Sequence, residues 1–246
     1  MRTITALVRR ELGVYFASPM AYIILTGVML VFGLVFWSET KRASDFTMPF
    51  TFSSSLMSFA GLMTFVTPLI TMRLVAEEKN RGTIETLMTA PVTELQVAVA
   101  KFASAMLFLF YLLLPTVAHA ILISKYGTID VSETLTGYLG LILLCGSLFS
   151  IGLFISAVSD SQVTAGVITF VTTFLLLLTS VLAGQIREDS WWGKPMKSVV
   201  QTLDPFKYLE DFLKGIVDTR PLVYFLSLIV FFLFLSVRAL ESRRWR

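Results

Sequence analysis

The chain has 246 residues, 55% of them hydrophobic and 15% charged, with a mean hydropathy of +0.77. Soluble domains carry about a quarter of their residues as charges, so this balance excludes an ordinary soluble protein and points to a membrane protein. A single cysteine, Cys145, rules out a disulfide framework within one chain, and a net charge of +3 without a basic and aromatic groove pattern argues against nucleic acid as a partner.

Residues 2–16 place Ile4, Leu7, Val8, Leu12 and Tyr15 at helical spacing, with Arg2, Arg9 and Arg10 on the other face. That predicts an interfacial helix, since no clean apolar core and small-residue cleavage site of a signal peptide follows. Ser18 and Pro19 break it. The first span, 21–37, ends at Trp37, at headgroup level, and is followed by Glu39, Lys41, Arg42 and Asp45. The second, 56–72, is the most polar, with Ser58, Thr64, Thr67, Pro68 and Thr71. A proline there needs a neighbouring helix to satisfy the carbonyl it frees.

The segment 73–101 is expected to face water. Glu77, Glu78, Glu85 and Glu94 nearly balance Arg73, Lys79, Arg81 and Lys101, which suits a folded surface better than a polybasic tail. Leu74 and Val75 are expected to continue the preceding span as helix, and Gly82 permits a turn. Ile84, Leu87 and Met88 then recur at i, i+3, i+4 before Pro91 closes the element. The product is a short amphipathic helix outside the bilayer with an apolar face to bury.

The third span, 102–124, contains Pro115 and His119. The fourth, 138–158, offers Gly140, Gly146, Ser147, Ser150 and Gly152 for close helix contact. Ser159, Asp160 and Ser161 connect it to the fifth, 163–183, whose Thr164, Thr169, Thr172, Thr173 and Thr179 either line a polar path or bond back to their own helix. With Thr64 and Thr67 of the second span, Thr169, Thr172 and Thr173 are the candidate pathway residues. Residues 185–221 hold two amphipathic stretches, broken at Asp204 and Pro205 and too short to span. They read as helices lying on, or dipping into, the outer headgroup region, with Trp191, Trp192, Phe206 and Phe212 as a candidate outer gate. The sixth span, 222–240, runs into Glu241, Arg243, Arg244 and Arg246.

Six spans put both termini on one side. Arg2, Arg9, Arg10, the four bases of 73–101 and the four arginines from Arg238 onward share that side, against Lys41, Arg42 and Lys125 in the short opposing loops. Both termini and the central segment are therefore expected to be cytoplasmic. No phosphate loop, H-E-x-x-H, paired cysteine or G-x-S-x-G occurs, so neither nucleotide hydrolysis nor another catalysis is expected, and no cofactor or metal. Cys145 reads as a buried thiol, and His119 as a packed helix residue rather than a proton carrier, since the spans hold no Asp, Glu, Lys or Arg away from their ends except Arg238 near the exit of the sixth.

The run 73–92, RLVAEEKNRGTIETLMTAPV, resembles the signature of ABC-2 type transporter permeases, in which E-E-K-x-x-G-T-x-E-x-L follows the second span and leads into a coupling helix. The order of an interfacial helix, six spans and outer helices before the last span is similar too. The run 205–220, PFKYLEDFLKGIVDTR, resembles the gliding-motility permeases, related to the permease serving nitrous-oxide-reductase maturation, although Pro221 stands where that subgroup has an acid.

The resemblance implies an all-α, six-span permease subunit in a bacterial cytoplasmic membrane, as a homodimer or paired with a similar permease. It would sit on two copies of a separate ATPase that binds ATP and magnesium, with a possible accessory extracytoplasmic subunit. Glu77, Glu78, Arg81, Gly82, Thr83, Glu85, Leu87 and Pro91 map to the coupling element, and Asp160 to a second contact. A rigid connection from Glu78 back into the second span would carry motion to the bundle. The substrate is not readable. The alternative class is a standalone channel or ion-coupled carrier; a carrier is disfavoured by the lack of charges within the spans.

Overall fold

The computed structural model describes residues 2–44, 51–83, 92–126, 130–185 and 193–242, and every element within them is a helix. Six helices are long and apolar enough to cross a membrane: α2 (Pro19–Ser44), α3 (Phe52–Thr71), α5 (Glu94–Tyr126), α6 (Val131–Val158), α7 (Gln162–Gln185) and α10 (Thr219–Glu241). Around them lie α1 (Arg2–Ala17), the short α4 (Ala76–Asn80), α8 (Gly193–Leu203) and α9 (Pro205–Leu213). The fold is the all-α, six-span class that the sequence predicts.

Four of the six spanning helices overrun both limits drawn from apolar composition, α6 begins earlier and ends at the expected Val158, and α3 begins earlier but ends at Thr71. Helix α5 has 33 residues, about 50 Å at 1.5 Å per residue, against a hydrocarbon core of about 30 Å. Composition marks the apolar zone, whereas a helix continues to its cap. At the start of α6 that cap is Asp130, whose carboxylate accepts from the N–H groups of Ser132 and Glu133.

Helix α6 is the axis of the bundle, packed on α3, α5, α7, α9 and α10. Two glycines permit the closest approaches. A Cβ on Gly140 would fall 2.6 Å from Cβ of Phe212 in α9, and one on Gly152 would fall 2.3 Å from Oγ1 of Thr71 in α3. Leu30, Leu34, Val167, Leu175, Val230 and Phe234 on α2, α7 and α10 stay exposed, as a surface facing acyl chains requires. Pro68 inside α3 has no N–H for the carbonyl of Thr64, and the hydroxyl of Thr173 on α7 donates to that carbonyl at 3.0 Å.

Leu74 and Val75 do not continue α3. The helix stops at Thr71, Val75 takes φ −125° and ψ −42°, and both Leu74 and Val75 are buried. Side chains from other helices take over the backbone groups. The Ile70 carbonyl accepts from the Tyr15 hydroxyl at 3.1 Å. The Leu74 N–H turns back to the Thr71 carbonyl, also at 3.1 Å. Ser156 Oγ of α6 accepts from the N–H groups of Val75 and Ala76 at 3.1 and 3.0 Å.

Candidate functional site

Helix α1 lies along α5, and each contributes one charge to the contact. Glu11 falls on the stripe of Leu7, Leu12 and Tyr15; Lys101 falls on that of Val97, Ala98, Ala105 and Phe108 and is 2% exposed. The expectation that Lys101 faces water is therefore corrected: its register on α5 turns it inward. Its Nζ stands 2.8 Å from Oε2 of Glu78 and 3.3 Å from Oε2 of Glu11. The Arg10 guanidinium bridges the Oε1 atoms of Glu11 and Glu78 at 3.1 and 3.0 Å. Two bases and two acids thus form a neutral cluster joining α1, α4 and α5, the arrangement that a buried ammonium requires.

A second chain of charges runs alongside. Arg81 meets Glu77 at 2.7 Å, Arg73 lies 4.0 Å from Glu77, and Arg73 donates to Ser18 Oγ at 2.8 Å. Glu11, Val14, Tyr15, Arg73, Leu74 and Glu77 line a cavity of about 30 Å³ between the two, room enough for a water molecule. Burial, reinforced by the Glu11 carboxylate, pushes the Tyr15 phenol above its ordinary pKa, so the hydroxyl stays protonated and keeps its bond to Ile70.

The start of the central segment is also fixed to the turn between α6 and α7. Besides the two N–H bonds to Ser156, the Lys79 ammonium donates to the carbonyls of Ala157 and Ser159, the latter at 3.0 Å. A cation there meets the negative end of the α6 dipole. Asp160 is exposed in the same turn. Beyond α4 the chain turns outward at Gly82, whose φ of +69° favours glycine, leaving Arg81, Gly82 and Thr83 exposed. Glu85, Leu87 and Pro91, with Ile84 and Met88, lie outside the described residues.

Of the candidate pathway residues, Thr64, Thr67, Thr169 and Thr173 converge where α3 packs on α7, and all four are buried. Among the described residues, the hydroxyls of Thr64, Thr67 and Thr169 have no partner. Thr172 turns aside and donates to the Ile168 carbonyl of its own helix at 2.8 Å. Within one chain these hydroxyls line a contact, so a path along them requires α3 and α7 to part.

On the opposite face, α9 is seated in the bundle. Asp204 caps it, accepting from the N–H groups of Phe206 and Lys207 at 3.0 and 3.3 Å and from the Ser180 hydroxyl of α7. At its other end the Ser53 hydroxyl of α3 donates to the Leu213 carbonyl at 3.0 Å. Phe206 and Phe212 are consequently buried, Phe212 over Gly140, whereas Trp191 and Trp192 lie outside the described residues. His119 bonds through Nδ1 to the Pro115 carbonyl at 2.6 Å and meets Phe32 and Phe36 edge-on. A carbonyl only accepts, so Nδ1 carries the proton and the ring is a packed helix residue.

Sequence reasoning passed over Glu11, Tyr15 and Ser156 as site residues and misread Lys101. A signal was present: one acid and one base each interrupt an apolar stripe, on helices of opposite register charge, and a charge on a buried stripe calls for its complement. Nothing comparable marks Ser156, whose hydroxyl resembles its back-bonding neighbours until Val75 is seen beside it.

A six-span helical bundle with a charged, partly clamped segment emerging at one face has the form of a transporter's membrane subunit. The family model described as ABC-2 family transporter protein matches residues 10–176, from Arg10 of the ion cluster past Thr173 of α7, and the chain belongs to that family. It is accordingly a multi-pass permease component of an ABC transporter, a class that pairs with an ABC ATPase. No curated protein matches the chain.

Proposed function

We propose that this chain converts ATP hydrolysis by a separate ATPase into movement of the membrane bundle, and that the movement enters through the segment after α3. The observation that carries this reading is the clamp of Val75, Ala76 and Lys79 onto Ser156, Ala157 and Ser159, which makes the base of that segment and the α6–α7 turn one body. Arg81, Gly82 and Thr83 at the exposed tip, with Glu85, Leu87 and Pro91 beyond them and Asp160 beside them, are the residues that would meet the ATPase. Two copies of the chain, or one with a similar permease, would stand on two ATPases with both termini in the cytoplasm of a bacterium. Parting of α3 from α7 would expose Thr64, Thr67, Thr169 and Thr173. Helix α9, with Phe206 and Phe212, would close the far end. The work done is export, or transmission of motion to an extracytoplasmic subunit. Placement near the gliding-motility permeases rests on the run 205–220, beyond the matched residues.

The test uses the chain reconstituted with its ATPase. A Val163→Cys label at the start of α7, an exposed position, is expected to change its thiol accessibility when ATP is added. The double substitution Ser156→Ala, Lys79→Met is expected to retain ATPase binding and lose that change. An undiminished response in the double variant would refute the clamp as the route, and a chain that binds no ATPase would refute the function.

A further inference from the structure

We propose that α8 is a binding site for an anionic phospholipid of the leaflet opposite the ion cluster. The depth of the helix is the first argument. The Tyr224 hydroxyl donates to the Leu203 carbonyl at 3.2 Å, and Ser180 holds the adjoining Asp204. Tyr224 stands five residues inside the start of α10, and Ser180 five residues inside the end of α7. Measured from the apolar limits at 222 and 183, they stand two and three residues inside, about 3 to 5 Å at 1.5 Å per residue. The C-terminal end of α8 is therefore held at the edge of the apolar zone.

At that level α8 leaves Met196, Val199 and Leu203 exposed by 58%, 59% and 53%, at i, i+3 and i+7. Such a stripe is unfavourable in water and at home against an acyl chain. On the opposite face of α8, about half a turn round its axis, Lys194, Lys197, Ser198 and Gln201 line a shallow concavity. Lys207 of α9 reaches Gln201 Oε1 at 3.3 Å and brings a third ammonium to its edge. The positive end of the α8 dipole lies at the same end as Lys194 and Lys197. A lipid seated against the exposed flank between the two faces, at Pro195 and Thr202, would meet ammonium, hydroxyl and amide donors for its phosphate oxygens on one side and an apolar strip for its chain on the other. The lysines favour a headgroup of net negative charge over a zwitterion, whose own cation they repel. The proposal needs the bundle to span a membrane and does not depend on the coupling reading.

The test takes the full chain in nanodiscs of phosphatidylcholine, alone or mixed with phosphatidylglycerol, and measures by native mass spectrometry the lipid retained on release. Wild type is expected to retain phosphatidylglycerol in preference. Lys194→Glu, Lys197→Glu is expected to reduce it at least about 25-fold, from roughly fivefold per lysine, with phosphatidylcholine unchanged. Lys194→Gln, Lys197→Gln should fall between. In parallel, a fluorophore on Val199→Cys should be quenched by acyl-brominated lipid as strongly as one on the exposed span residue Val230→Cys. Equal retention of both lipids, unchanged phosphatidylglycerol in the double charge reversal, or an unquenched, water-accessible label at Val199 would each overturn the proposal. The last of these would leave the stripe as a face for a soluble protein.

Discussion

The ion cluster at Lys101 yields a quantitative expectation. Lys101 is 2% exposed and has carboxylates at 2.8 and 3.3 Å, from Glu78 and Glu11. Removing every neutralising partner of a buried charge costs about 3–5 kcal/mol, so Glu11→Gln, Glu78→Gln should destabilise the chain by that amount. Glu78→Gln alone leaves Glu11 in place and should cost about 1–3 kcal/mol. Lys101→Met keeps the stem and removes the charge; its two carboxylates retain Arg10, so its cost should be smaller than that of the double glutamine variant. The combination Glu78→Gln, Lys101→Met should then cost less than the sum of its parts, with a coupling energy of about 1–3 kcal/mol. The assay is unfolding of the purified chain in mixed micelles by titration with denaturing detergent, all four corners of the cycle being measured. Additivity within about 0.5 kcal/mol would refute the pairing of Glu78 with Lys101.

Other substitutions test the packing that positions the site. Gly152→Ala puts a Cβ 2.3 Å from Thr71 Oγ1, and overpacking of that kind should cost about 1–3 kcal/mol; partial recovery is expected in a Thr71→Ala background, which removes Oγ1 and Cγ2 but leaves Cβ at 2.6 Å, and no recovery would disprove the contact. Thr173→Val strips the partner from the Thr64 carbonyl freed by Pro68 and should cost about 1–3 kcal/mol. If Thr173→Val costs the same in a Pro68→Ala chain, where the backbone N–H is restored, the pairing is wrong. Tyr15→Phe loses the bond to Ile70, about 1 kcal/mol at neutral pH. Because burial raises the phenol pKa, the unfolded chain loses this proton first. The contribution to stability is whole below the ordinary value of 10.0 and declines as pH rises past it. Tyr15→Phe should remove that slope, and an unchanged slope in stability against pH would count against the buried phenol.

The bundle was legible in the sequence because its cause is local. An apolar zone long enough to cross a bilayer must be helical there, since no water satisfies the backbone, and the small residues of α6 already marked close contact. Gly82 as a turn and the break at Asp204 and Pro205 were legible for the same reason, each being a property of one or two residues. The path of the chain between Thr71 and Ala76 was not. Helix propensity favours continuation through Leu74 and Val75, and what stops it is a hydroxyl 81 residues away in sequence, Ser156. The inward turn of Lys101 and the seating of Phe206 and Phe212 depend likewise on partners from distant helices, which periodicity within one segment does not contain.

The interrupted helix alters how force would pass in the proposed coupling. A continuous helix from Glu78 into α3 would transmit a push along its own axis, as the sequence suggests. The turn at Met72 to Val75 removes that strut, and the hydrogen bonds it releases are taken up by Tyr15 of α1 and Ser156 of α6. Glu78 is spent on Lys101 and Arg10, so charge reversal there would disturb folding before it touched a partner. Arg81, 70% exposed and paired through Glu77, is the cleaner position at which to probe recognition. In the proposed coupling, a push on the tip at Arg81 to Thr83 would therefore be delivered sideways, through Lys79 and Ser156 to the α6–α7 turn, and through Glu78 to α1 and the start of α5. Because α7 leaves that turn and carries Thr169 and Thr173 against α3, lateral displacement of the turn bears directly on the contact that buries the threonines.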